Sequence, residues 1–273
     1  MQYINDIELE RDFNLGLEIE LSDVDRSISL PMGMSWAKKE HDIVNSDGRA
    51  IIPGSKEYTI GGEVNTPPSY SFEEQAQYLN ELWKLFPNAS VNHRAHTHCH
   101  IAFEGLKEDV EIQKKILKYA VENSRYCLDY FFTPVKTKEM NFSAWKYQIE
   151  DRTIMPEWRY KFCMQAKNPM EFKIAHQMAK NGEVFPQITK RYAVNTFSIY
   201  KHGTVEFRCF FPTMKTEEII DCLKFCTLFI NEALKEHPKP IQEAVNFEEF
   251  NFPKSIPFSY ELEMGWQATK VKK

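Results

Sequence analysis

Three short segments of this chain put charged or metal-binding side chains at alternate positions. They are Gly16-Leu17-Glu18-Ile19-Glu20-Leu21, His96-Thr97-His98-Cys99-His100-Ile101 and Thr204-Val205-Glu206-Phe207-Arg208-Cys209-Phe210. Successive side chains of a β-strand point to opposite faces. As strands, the segments put Glu18 and Glu20 opposite Leu17, Ile19 and Leu21, and Glu206 and Arg208 opposite Val205, Phe207 and Cys209. A buried sheet face of carboxylates, imidazoles and a guanidinium is costly unless something compensates the charge. Bound metal and a phosphorylated ligand would compensate it, so the pattern points to an active site.

Each motif has a chemical reading and a plain one. Glu18 and Glu20 stand about 7 Å apart along a strand and can ligate hard divalent cations such as Mg²⁺ or Mn²⁺; the plain reading is a solvent-facing acidic strand. His96, His98 and His100 alternate on one face and form a zinc site, or a metal and nucleotide site in which one histidine ligates and the others meet phosphate or substrate. The plain reading is a satisfied or exposed histidine strand. Glu206 can hold metal while Arg208 clamps phosphate with its planar fork, or the two form a salt bridge. Glu63 follows Gly61-Gly62, where backbone can approach a ligand closely, and precedes Val64-Asn65-Thr66-Pro67-Pro68. Asp47-Gly48 is the weakest of the motifs and reads first as an ordinary turn.

These residues need elements to position them. Residues 13–21 read as a strand, 22–58 as irregular, and Thr59 to Asn65 as a second strand. Ser71-Phe72-Glu73-Glu74 has capping-box spacing, and Phe72, Ala76, Leu79, Trp83 and Phe86 continue at helical period. Residues 95–103 alternate as a strand and 107–131 read as a long helix. Residues 133–170, with three prolines and two tryptophans, read as a partly irregular insert, and 170–181 as a helix. Residues 191–200 and 203–211 read as a hairpin turning at Lys201-His202-Gly203, and 216–235 as an amphipathic helix. The tail from Pro238 reads as an extended strap or a mobile end. The half-polar alternation favours an antiparallel sheet with helices on one face, an α+β fold.

The chain has 273 residues, is 42% hydrophobic and carries a net charge of −5. That excludes the basic balance of a typical nucleic-acid binder. No signal peptide and no membrane span is expected. Six scattered cysteines without a C-x-x-C read as reduced thiols of a cytoplasmic protein.

The ordered set resembles the amidoligases, relatives of the glutamine-synthetase-like and glutamate-cysteine-ligase-like carboxylate–amine ligases. The matching elements are Gly16-Leu17-Glu18-Ile19-Glu20, Asp47-Gly48, Gly62-Glu63-Val64-Asn65-Thr66-Pro67-Pro68, His96-Thr97-His98-Cys99-His100, the Arg191-Tyr192…Asn195 stretch, and Thr204-Val205-Glu206-Phe207-Arg208 running on to Pro212. The resemblance covers roughly residues 13–235. It departs at Arg49, where the family has serine after Asp-Gly, and 133–170 matches nothing in the family.

The resemblance implies an antiparallel sheet of the glutamine-synthetase catalytic type, with ATP and metal on its concave face. It implies a catalytic domain over 1–235, with 133–170 shaping the substrate site and 236–273 as an extension. It implies that ATP phosphorylates a carboxylate and an amine displaces the phosphate to form an amide. Glu18, Glu20, Glu63, His100 and Glu206 would hold Mg²⁺ or Mn²⁺. Arg208, His98 and Asn195 would bind nucleotide, and Glu206, Arg208 and Arg191 would serve the chemistry. Its partners would be small-molecule or peptide carboxylates and amines, with no nucleic acid and no membrane, and a homo-oligomer is compatible with it. The rivals are a zinc-dependent hydrolase on His96, His98 and His100, and an inactive nucleotide-binding homologue.

Overall fold

The computed structural model describes residues 2–4, 7–37, 61–91, 96–132, 155–184, 192–210 and 212–253. Arg191 and the Asp47-Gly48-Arg49 turn lie outside the described residues, as do 133–154 of the expected insert.

The fold is α+β, built on a six-stranded antiparallel sheet. A short hairpin, β1 (Gln2–Ile4) and β2 (Ile7–Leu9), precedes it. The sheet strands are β3 (Asn14–Ser22), β4 (Ser35–Trp36), β5 (Gly61–Asn65), β6 (Thr97–Ala102), β7 (Val194–Asn195) and β8 (Val205–Phe210). Their spatial order is β4-β5-β3-β6-β8-β7, so the three motif strands β3, β6 and β8 lie side by side in the middle.

The alternation has the expected consequence. Leu15, Leu17, Ile19, Leu21, Cys99, Ile101, Val205 and Phe207 all face the core and are buried. Three long helices cover that face: α1 (Phe72–Leu85), α2 (Val110–Phe132) and, after the shorter α3 (Glu157–Gln165), α4 (Pro169–Gln177) and α5 (Ser198–Lys201), α6 (Thr216–Leu234). α6 packs against α1, α2 and β6, so it is apolar nearly all round, as a helix enclosed on several sides must be. Its buried polar residues have work of their own. Asn231 Oδ1 accepts the Glu10 amide at 3.0 Å, Asp221 Oδ2 accepts the Asn251 amide at 2.8 Å and Glu232 Oε1 accepts the Lys239 amide at 2.7 Å. These bonds pin the segments around Glu10, Lys239 and Asn251 to the central helix. The described part of the tail packs as well: α7 (Ile241–Ala244) and a 3₁₀ turn at Phe247–Glu249 bring Ile241, Phe247 and Phe252 into the same core.

Where β5 ends, a buried side chain takes over its pairing. Thr66 Oγ1 accepts the Leu17 amide at 2.9 Å and donates to Gln75 Oε1 at 2.8 Å. Gln75 Nε2 donates to the carbonyls of Leu15 and Pro67, both at 2.9 Å. Satisfying these buried groups holds β3 straight past the proline pair.

Several expected elements differ. Of the strand expected over 191–200, the described residues 192–200 form only a short piece: Val194–Asn195 pairs with β8, and Ser198–Lys201 is a helical turn. The helix expected over 170–181 runs from Pro169 to Gln177, capped by Asn168. The described part of the 133–170 insert is regular, since Glu157–Gln165 is helical. A second, smaller core joins α3 and α4 to α2 through Cys163, Phe172, Leu117 and Tyr192. The 22–58 stretch holds one short strand, β4, among its described residues. Among the described residues no helix is long and apolar enough to cross a membrane.

Candidate functional site

The polar face of the central strands gathers most of the motif residues. Register places Glu18 directly opposite His98 on one side and Asn65 on the other. His100 stands opposite Glu206, and Glu206 opposite Asn195. Glu20 stands opposite Glu63. All of these but Glu18 and Asn65 are buried.

The contacts form one network. His98 Nδ1 lies 3.1 Å from Glu18 Oε2 and 3.6 Å from Glu206 Oε1. His100 Nε2 lies 3.2 Å from Glu18 Oε1, within ion-pair reach but not aligned for a hydrogen bond. His100 Nδ1 is 2.8 Å from Thr204 Oγ1, the kind of outer partner that orients a ligating imidazole. Asn195 Nδ2 donates to Glu206 Oε2 at 2.7 Å, and the Arg208 guanidinium donates to Glu206 Oε1. Asn195 is thus a support for Glu206.

A break in the alternation comes just after Arg208. Between β6 and β8, Cys99 pairs with Phe207 but Thr97 pairs with Phe210, so β8 carries one extra residue there. Strict alternation would set Phe210 beside Glu206 and Arg208. The bulge instead turns Phe210 into the core, where its ring meets Phe131 at 4.9 Å and Phe225 at 6.0 Å. Bulges often re-aim side chains in this way beside functional sites.

The electrostatics keep Glu18 and Glu206 ionised. Burial alone would raise the Glu18 pKa, but the His100 and His98 imidazoles set against its two oxygens hold it well below the ordinary carboxylate range. Burial likewise opposes ionisation of Glu206, and the Arg208 charge overrides it. Burial, then Arg208, pushes His98 down to about 4, which leaves a neutral imidazole with one ring nitrogen's lone pair to offer. Burial lowers and Glu18 raises His100, with a net upward shift.

Two overlapping groups of cation-ligand atoms result. Glu18, Glu63 and His98 offer atoms within 4.8 Å of one another, as do Glu18, His100 and Glu206. The buried Nε2 of His98 has no hydrogen-bond partner among the described residues. The His98 ring stands beside the clustered carboxylates of Glu18, Glu63 and Glu206, where it adds a nitrogen to their oxygens. Two oxygens and one nitrogen per group suit Mg²⁺ or Mn²⁺. His96 joins neither group and stacks on His98 at 5.9 Å instead, so the three histidines do not form one ligand set. Glu20 stands at the same face, across from Glu63, but also outside both groups.

One residue the motifs did not single out stands at the edge of this face. The ring of His202 lies edge-on to His100 at 5.9 Å. Its sequence signal is indirect: the one-turn helix α5 ends at His202, and Gly203 follows at φ +80°, the left-handed stop that glycine favours.

Comparison with family models, with curated proteins and with solved structures finds no match to this chain.

Proposed function

We propose that this chain is an ATP-dependent carboxylate–amine ligase of the amidoligase type, forming an amide through an acyl phosphate on a glutamine-synthetase-like sheet. The observation that carries the reading is the pair of cation-ligand groups sharing Glu18, with the Arg208 guanidinium set against Glu206 on the same face. Phosphoryl transfer needs little covalent chemistry from the protein; it needs positioned positive charge at the phosphate oxygens.

Glu18, Glu63 and His98 would hold one divalent cation, and Glu18, His100 and Glu206 another. When bound, these cations would neutralise the phosphate charge. Arg208 would present its fork to the transferring phosphoryl group, kept in place by Glu206, and Asn195 and Thr204 would hold Glu206 and His100 in orientation. Glu20, beside Glu63, would add to the negative field that draws the cations in. Arg191 keeps its expected phosphate role as part of this reading.

The test is ADP formation from ATP with Mg²⁺ against pooled carboxylates and amines, with mass spectrometry of the product. The expected result is a new amide, lost in excess EDTA. Stoichiometric zinc retained through dialysis, together with hydrolysis that needs no ATP, would overturn the ligase reading in favour of a zinc hydrolase.

A further inference from the structure

At the end of the sheet where His100 pairs with Glu206, two loops meet. One follows β6 and carries Lys107; the other precedes β8 and carries His202, Gly203 and Thr204. Both loops are fixed. Gln113 Nε2 donates to the Lys107 carbonyl at 3.1 Å, and the amides of His202 and Gly203 donate to Ser198 and Ile199 at 2.8 and 3.1 Å.

Lys107 crosses directly over Gly203. A Cβ at Gly203 would stand 2.6 Å from Lys107 Cε and 2.9 Å from its Nζ, and the residue holds φ +80°. Glycine therefore serves twice here, for the left-handed turn and for the passage of the lysine. The exposed Lys107 ammonium forms no ion pair among the described residues, and the His202 ring makes no hydrogen bond among them. Two free donors thus stand at the rim, one of them against His100.

The charge of the face below gives them a purpose. Counted with all four glutamates as carboxylates and both histidines neutral, the forms in which they ligate a cation, Glu18, Glu20, Glu63 and Glu206 against Arg208 carry three net negative charges. Two divalent cations would turn that into one net positive charge, and the rim adds the lysine. A loaded site would therefore attract a multiply charged oxyanion at this end, where hydrogen bonds to a charged acceptor are strongest.

We propose that Lys107 and His202 form an anion-binding rim that holds a phosphoryl group beside the cation position of Glu18, His100 and Glu206. The inference rests on the cation sites of the proposed function. It adds a phosphate position that does not depend on Arg208, supplied either by the nucleotide or by a phosphorylated substrate.

The experiment uses the full chain with Mn²⁺ and two probes, inorganic phosphate and ATP. Mn²⁺ binding is followed by electron paramagnetic resonance, and phosphate binding by Mn²⁺-enhanced ³¹P relaxation. In wild type, inorganic phosphate should bind close to bound Mn²⁺. Lys107→Ala and His202→Ala should each weaken it by about tenfold, the scale of one charge-assisted hydrogen bond, with Mn²⁺ affinity unchanged. Lys107→Arg should restore it. Both residues are exposed, so the variants should fold; thermal unfolding checks this. A parallel loss of ATP affinity supports the rim and assigns it to the nucleotide; unchanged ATP affinity with weaker phosphate supports it and assigns it to a substrate phosphoryl group. Mn²⁺ bound with phosphate affinity within twofold across all variants overturns the rim alone. No Mn²⁺ bound in wild type overturns the cation reading and the rim with it.

Discussion

Arg208 combines burial of its stem with an open guanidinium edge: its side chain is 25% exposed while its partner Glu206 is 7% exposed. A lysine there keeps the charge but loses the fork. Arg208→Lys should therefore lower turnover by about 10²-fold or more, the scale of removing one preorganised transition-state donor, while ATP affinity falls less. Turnover within about threefold of wild type at saturating substrates would mean that the pair is only structural. A second residue-scale expectation concerns acid. His176 is fully buried, its Nε2 3.1 Å from Thr196 Oγ1. Burial, then the Arg159 charge, pushes its pKa down to about 3, against about 6.5 in an unfolded chain. Between those values the unfolded state binds the extra proton. The contribution of this neutral imidazole is thus complete above about pH 6.5 and lost as pH falls toward 3. His98, pushed down to about 4, acts in the same direction. Urea unfolding from pH 6.5 to 4.5 should show stability falling with acid, and His176→Asn should flatten that slope by up to about 1.4 kcal/mol per pH unit. Equal slopes in the two proteins would refute a neutral buried His176.

At the scale of elements, β5 must lie close under β4, and Gly62 permits it. A Cβ at Gly62 would stand 2.7 and 2.9 Å from two ring carbons of Trp36. That ring is held, because Trp36 Nε1 donates to the Ile28 carbonyl at 2.9 Å and the ring packs on Phe86 at 5.7 Å. Gly62→Ala should cost about 1–3 kcal/mol by overpacking, read as a lower urea midpoint, and should weaken cation binding through the adjacent Glu63. A neutral Gly62→Ala would mean that Trp36 moves freely. This is also where sequence legibility divides. Strands with one apolar and one polar face, such as Leu17/Ile19/Leu21 against Glu18/Glu20, were readable because period-two alternation is written locally. The capped start of α1 at Ser71 was readable for the same reason, through its bond from the Glu74 amide at 3.2 Å. The β8 bulge was not, because Phe210 is turned inward by rings on α2 and α6, which no local pattern records. The short β7 departs from the strand expected over 191–200 because, although Phe197-Ser198-Ile199-Tyr200 has strand-like composition, Asn195 Oδ1 accepts the Phe197 amide at 3.1 Å and starts a helical turn instead. The co-location of β3, β5, β6 and β8 was implied only by the family resemblance; alternation alone fixes faces, not neighbours.

For the molecule as a whole, the site is a seam across the sheet. Its ligand atoms come from β3, β5, β6 and β8, four adjacent strands that are far apart in sequence. Only the folded chain brings them together, so a cation that binds here binds the native state alone and stabilises the whole chain by mass action. At a concentration about 100 times its dissociation constant this amounts to about 2.7 kcal/mol, which for a chain of this size is about 5–10 °C in Tm. Glu63 stands opposite Glu20 across β3 and β5 and offers a ligand atom beside Glu18 and His98. Glu63→Gln should therefore shrink the Tm gain from Mn²⁺ while leaving Tm in EDTA little changed, a dependence that a merely structural glutamate would not give. The shared position of Glu18 sets the stoichiometry. Wild type should bind two Mn²⁺ per chain. Glu63→Ala should keep the cation of His100 and Glu206, Glu206→Ala should keep that of Glu63 and His98, and Glu18→Ala should lose both together with the Tm shift. Metal content after equilibrium dialysis, read beside the melting curves, gives the count. A Glu18→Ala protein that still binds one Mn²⁺ and keeps half the shift would show that the two groups do not share a ligand, and the seam would be two separate sites.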